Sequence, residues 1–145
     1  MSVEVQVVRE TTDEVVEAIA RLLPQLSSKA GTPDGESVAR LLRSDANTLL
    51  LARVDGRAVG MLTLIVFPLP SGLRGRIEDV VVDEAARGHG VGAALTEEAL
   101  RLAEAAGART VDLTSRPSRQ AANRLYEHLG FQARESTVHR FVVRP

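Results

Sequence analysis

Arg87-Gly88-His89-Gly90-Val91-Gly92 is the stretch on which the fold turns. Ahead of it, Ile77-Glu78-Asp79-Val80-Val81-Val82 closes a β-rich run from Arg74 to Val82. Behind it, Val91, Leu95, Ala99 and Leu102 recur at the spacing of one helical stripe. A strand therefore passes through a glycine-rich turn directly into a helix. Three glycines let backbone come close to a ligand, and the first N–H groups of the helix point at it with the positive end of the helix dipole. Arg87 adds a full charge and planar donors that suit a phosphate oxygen. An anion fits these residue types, although glycine triplets also serve tight turns, so the flanking sequence has to say what the anion belongs to. A dinucleotide fingerprint would need G-x-G-x-x-G with an acidic residue about 20 positions on, and a P-loop would need Gly-Lys-Ser/Thr. Neither is present.

Working toward the N-terminus, Asp55-Gly56 separates the β-rich runs Asn47 to Val54 and Arg57 to Phe67, a hairpin signal because both residues tolerate positive φ. Val3, Val5 and Val7 alternate with polar residues as a first strand. Thr11 to Asp13 offer N-caps for a helix that Pro24 should kink or end, and the Ser27 to Gly35 loop leads to a second helix through Leu42. Toward the C-terminus, Gly107 closes the central helix. Thr110 to Leu113 reads as a short strand, Ser118 to Leu129 as a helix capped by Ser118 and ended by Gly130, and Thr137 to Val143 as a final strand, with room for another at Phe131. The expected order is β-α-α-β-β-β-α-β-α-β. This describes a single α/β domain over residues 1–145, with a mixed, mostly antiparallel sheet and about four flanking helices.

A chain of 145 residues holds one core, and 44% hydrophobic with 26% charged residues is ordinary for a globular protein. Net charge is −1 and the aromatic residues are one tyrosine and three phenylalanines, so neither a phosphate-backbone footprint nor a base-stacking surface is indicated. The absence of cysteine excludes a Cys-linked acyl-enzyme and a thiolate metal site. His89, His128 and His139 lack metal-ligand spacing, and no metal is expected. The alternating N-terminus is unlike a signal peptide and no long apolar run follows, so the expected location is cytoplasmic, without membrane attachment.

Arg87 to Gly92 fits every defined position of the Arg/Gln-x-x-Gly-x-Gly/Ala loop of the GCN5-related N-acetyltransferase superfamily, which this sequence resembles. The resemblance extends upstream to Ile77–Val82 and downstream to Asn123-Arg124-Leu125-Tyr126-Glu127-His128-Leu129-Gly130-Phe131. It implies an acetyl-CoA-dependent N-acetyltransferase. Backbone groups of Val80, Val81 and Val82 would pair with the pantetheine arm. Arg87, Gly88, His89, Gly90, Val91 and Gly92 would bind the pyrophosphate, and Asn123 and Tyr126 would contact the cofactor. The family's fourth and fifth strands splay at a bulge, for which Glu78-Asp79 is a plausible place. Members often pair, which makes a homodimer an expectation by analogy alone.

The implied reaction is direct attack of a neutral amine, on a small molecule or peptide, upon the thioester. An alkylamine is neutral only about once in 2,500 molecules at pH 7, so a general base matters. Glu78 is the first candidate and Asp79 its rival. Strand alternation sends these neighbours to opposite faces unless a bulge intervenes. Tyr126, the sole tyrosine, is the candidate acid for the departing thiolate. Together Glu78 and Tyr126 favour catalysis over an acetyl-CoA-binding sensor. The acidic residues Glu78, Asp79, Asp83 and Glu84 would also suit a cationic amine. Acceptor specificity is expected from the Ser27–Gly35 loop, the first helices and the C-terminal strand.

Overall fold

Asp55 and Gly56 both take positive φ, 51° and 80°, and reverse the chain in two residues between β2 (Asn47–Val54) and β3 (Arg57–Leu69). The computed structural model describes residues 2–144. β4 (Gly72–Val82) continues the meander, and β1 (Glu4–Val7) pairs with the other edge of β2, all antiparallel. β5 (Val111–Asp112) joins β4 in parallel, giving the order β1-β2-β3-β4-β5 and the expected mixed sheet.

α1 (Asp13–Leu22) starts where Thr12 Oγ1 accepts from the Val15 N–H at 3.2 Å, and it ends in a 3-10 turn, Leu23–Gln25, that contains Pro24. α2 (Gly35–Arg43) begins with a reciprocal capping box between Asp34 and Ser37. These helices cover one face of the sheet. Val15, Ala18, Ile19, Leu22 and Val38 share a core with Leu49, Leu51, Met61 and Val81.

Alternation sends Leu50, Leu62 and Leu64 to the opposite face, where α3 (Val91–Ala105) packs. It lies close over Gly60, where a Cβ would stand 2.8 Å from Val91 Cγ1 and 3.1 Å from Leu95 Cδ1. Leu49, Leu50, Leu51, Leu62, Leu64 and Leu95 are at most 2% exposed. Each contributes about 1.5–3 kcal/mol of burial, so the core anchors both helical layers.

The chain divides into two compact units, one through Thr114 and one from Ser115 onward. In the second, α4 (Gln120–His128) buries Tyr126, whose ring meets Phe131 edge-on at 5.7 Å. Phe131 N–H donates to the Tyr126 carbonyl and Gly130 N–H to that of Glu127, a Schellman ending that uses the positive φ of Gly130 (104°).

Three expectations are corrected. Ser118 does not cap α4, because the cap position is Arg119, which makes no side-chain bond. The fifth strand has two residues rather than Thr110 to Leu113. Neither the final strand at Thr137–Val143 nor the one at Phe131 forms, so the order lacks its last β element. Alternation supplies faces but no partner, and among the described residues this segment has none. Val138, Phe141, Val142 and Val143 are 64–88% exposed.

Candidate active site

β4 carries one residue too many for β3. Met61 faces Val81 and Thr63 faces Glu78, so Asp79 and Val80 together oppose Leu62. The extra residue is accommodated by Asp79 at φ 52°, a left-handed conformation that Asp tolerates better than most side chains. This bulge resets the alternation. Glu78 and Val81 share a face with their partners Thr63 and Met61, on the side covered by α1 and α2, and Asp79 lines a cavity on that same side. The two carboxylates are therefore not sent to opposite faces.

Their surroundings differ. Glu78 Oε2 accepts from Arg76 Nε, and Arg76 Nη2 donates in turn to Thr114 Oγ1 at 3.0 Å, so the Glu78 carboxylate is held in an ion pair. Among the described residues Asp79 makes no such pair. It sits at the accessible mouth of a cavity of about 150 Å3 walled by Ile19, Leu23, Val38, Leu41, Leu49 and Met61. The protein atoms around it, and secondly the negative charge of Glu78, raise its pKa above its ordinary value.

Pairing between β4 and β5 stops early. Gly75 faces Val111 and Arg76 faces Asp112, while Val80 to Val82 lie beyond the end of β5. Among the described residues no strand pairs with Val80 to Val82 on that side, so an extended chain can join there as an added strand would.

The turn into α3 follows. Gly88 (φ 84°) and Gly90 (φ 79°) need positive φ, and a Cβ on either would meet nothing within 4 Å, so conformation rather than space demands glycine. Gly92 lies inside the helix and carries no such requirement. The Gly90 cap makes no side-chain bond and the first turn has no acidic residue, which leaves the leading N–H groups for an anion. Arg87 and His89 are exposed beside them.

Asp83 belongs to the scaffold instead. Its Oδ2 accepts from Arg21 Nη1 at 3.0 Å, while Arg21 Nη2 donates to the Ala58 carbonyl at 2.7 Å, tying α1 to the end of β4. The expected acidic cluster thus loses a member to structure. Arg21 and Arg76 were not among the expected residues. Arg76 has a local signal, two positions before Glu78 on one strand, whereas Arg21 and Asp83 meet only through the fold.

In the second unit, Asn123 Nδ2 donates to the Arg116 carbonyl at 3.0 Å. Tyr126 is buried, which raises its pKa against the opposing charge of Arg119. Ser115 Oγ is buried without a hydrogen-bond partner among the described residues. Among the described residues there is no acidic, His or Cys cluster suited to a metal, and no helix long and apolar enough to cross a membrane.

Residues 14–131 match the acetyltransferase (GNAT) family. The chain belongs to that family, a family of N-acetyltransferases. It is 36% identical over 87 residues to a mycothiol acetyltransferase of Beutenbergia cavernae, which covers 60% of this chain and 29% of that protein. The chain thus spans well under half the length of this curated relative. Among solved structures, an acetyltransferase of Trypanosoma brucei is 28% identical with TM-score 0.79, covering 97% of this chain and 100% of its own. A transcriptional regulator from Bacillus halodurans is 25% identical with TM-score 0.84 over 97% and 100%.

GNAT proteins typically use acetyl-CoA, and the residues present fit it. The donor-rich turn at Arg87–Gly92 suits a pyrophosphate, and the open edge at Val80–Val82 suits an amide-bearing arm.

Proposed function

We propose that this protein transfers the acetyl group of acetyl-CoA directly to a neutral amine of a small molecule or peptide. Asp79 acts as general base, directly or through one water, and Tyr126 as general acid. When bound, acetyl-CoA supplies an activated acetyl group. The C–N bond forms as the C–S bond breaks, one proton leaves the amine and one reaches the departing sulfur.

The carrying observation is the β4 bulge. It turns Asp79 into a cavity while leaving the adjacent Val80–Val82 edge open, so a base stands beside the strand proposed to hold the thioester. Asp79 now ranks ahead of Glu78, whose carboxylate would first have to leave Arg76. A raised carboxyl pKa brings a base nearer to neutral pH, where proton transfer is most effective. Arg87 to Gly92 are proposed to hold the pyrophosphate, and Asn123 and Tyr126 are proposed as cofactor contacts. The name of the Beutenbergia relative supports a small-molecule acceptor.

The test is release of free CoA thiol from acetyl-CoA over a panel of amines, amino acids and peptides. Tyr126→Phe should lower turnover by about 10²-fold, with acetyl-CoA affinity kept. Tight acetyl-CoA binding without thiol release on any acceptor would favour a cofactor-binding sensor instead.

A further inference from the structure

The cavity beside Asp79 carries information about the acceptor. Its walls come from α1 and the turn after it, Pro33, α2 and strands β2 to β4, and they are mostly apolar, with Ser37, Thr63 and Asp79 the polar members. Asp79 is the one charged side chain in its lining. Ser37 also lines it, but its hydroxyl is committed to the α2 cap, accepting from Asp34 N–H and donating to the Asp34 carbonyl, both at 3.0 Å. Thr63 is then the remaining hydroxyl, and it sits on β3 opposite Glu78, at the Asp79 end. Polarity is confined to one end.

From this we infer that the acceptor is a monoamine bearing a compact apolar group of about six carbons, amine toward Asp79 and apolar group among Ile19, Val38, Leu41 and Met61. The volume, about 150 Å3, gives room for a group of that size in a pocket that opens to solvent, since an aliphatic cavity of roughly that size takes up a benzene ring. The chemistry follows from the lining. A polyamine would bring a second ammonium, and an amino sugar several hydroxyls, against walls with no partner for them, and each unpaired polar group costs about 1–3 kcal/mol. A phosphorylated acceptor would find no Arg or Lys in the lining. The inference rests on the acetyl-transfer function proposed above.

Primary alkylamines of two to eight carbons test it, because their ammonium pKa hardly changes along the series while apolar size does. The readout is kcat/KM from CoA thiol release, with spermidine and glucosamine 6-phosphate alongside. Each added methylene should raise kcat/KM about fourfold, with the gain ending near about six carbons. Leu41 is a partly buried residue of the wall. Leu41→Phe should shorten the preferred chain, and Leu41→Ala should lengthen it, which keeps the test open if the larger side chain prevents folding. A series that is flat in the parent and both variants, or a tenfold preference for spermidine or the amino sugar, would overturn the acceptor assignment while acetyl transfer stands. Binding of acetyl-CoA with no thiol release from any amine would overturn acetyl transfer itself, and the acceptor with it.

Discussion

Glu78 and Asp79 are neighbouring carboxylates that the fold has made chemically unlike. One is paired with Arg76, and the other lines a mostly apolar cavity with no counter-ion among the described residues. Sequence placed both in the right strand, because acidic residues in a run of valines stand out. It could not rank them, because rank depends on a one-residue register shift between β3 and β4 and on Arg76, neither of which periodicity carries. Asp79→Asn should lower kcat/KM by about 10²–10⁴-fold at neutral pH, and Asn tolerates the φ of 52°. Glu78→Gln should keep most of the rate. It also removes one of the two causes that raise the Asp79 pKa, so the acid limb of the pH–rate profile should move to lower pH. The reverse ranking of the two variants would return the base role to Glu78. Stability gives a separate readout. A carboxyl whose folded pKa is raised favours the folded state below its unfolded pKa of about 3.9 and loses that contribution as pH rises through the folded value. Asp79→Asn should therefore raise Tm at pH 7 relative to the parent, with the difference vanishing below about pH 4.

Among the elements, α3 matters most, because its N-terminus faces the anion and its position depends on how closely it lies on the sheet. Gly60 sets that distance. A methyl group there would stand 2.8 Å from Val91 and 3.1 Å from both Leu95 Cδ1 and the Val81 carbonyl, so the first turn of α3 or the end of β4 has to move. Gly60→Ala should cost about 1–3 kcal/mol, a Tm drop of roughly 3 °C per kcal/mol in thermal unfolding, and should weaken acetyl-CoA binding as the turn shifts. An unchanged Tm would mean that α3 does not rest on Gly60. Elements with local causes were legible: the Asp55-Gly56 hairpin, the Thr12 cap, the break at Pro24 and the glycine endings at Gly107 and Gly130 all formed as expected. Elements with non-local causes were not. Gly60 looks like any strand glycine until α3 lies across it, and the apolar run at Phe141-Val142-Val143 looks like a strand although no partner meets it.

At the scale of the whole molecule, a net charge of −1 gives little attraction for a polyanionic cosubstrate, so affinity has to come from local donors rather than a general field. Those donors are the leading N–H groups of α3 and the Arg87 guanidinium, in the unit that also holds the core. Binding there should stabilise the folded chain by mass action, about 2.7 kcal/mol at 100 times the dissociation constant, or roughly 8 °C in Tm. S-acetylpantetheine shares the thioester and the amide arm but lacks the pyrophosphate and nucleotide, so at equal concentration its shift should be much smaller. Arg87→Ala should leave the ligand-free Tm nearly unchanged, because the side chain is exposed, while cutting the acetyl-CoA shift. High salt should shrink the acetyl-CoA shift more than that of acetylpantetheine, since exposed charge pairs are screened and backbone pairing to a neutral arm is not. Equal shifts from the two ligands in low salt would show that the arm alone carries the affinity, and would take the anion out of the Arg87–Gly92 turn.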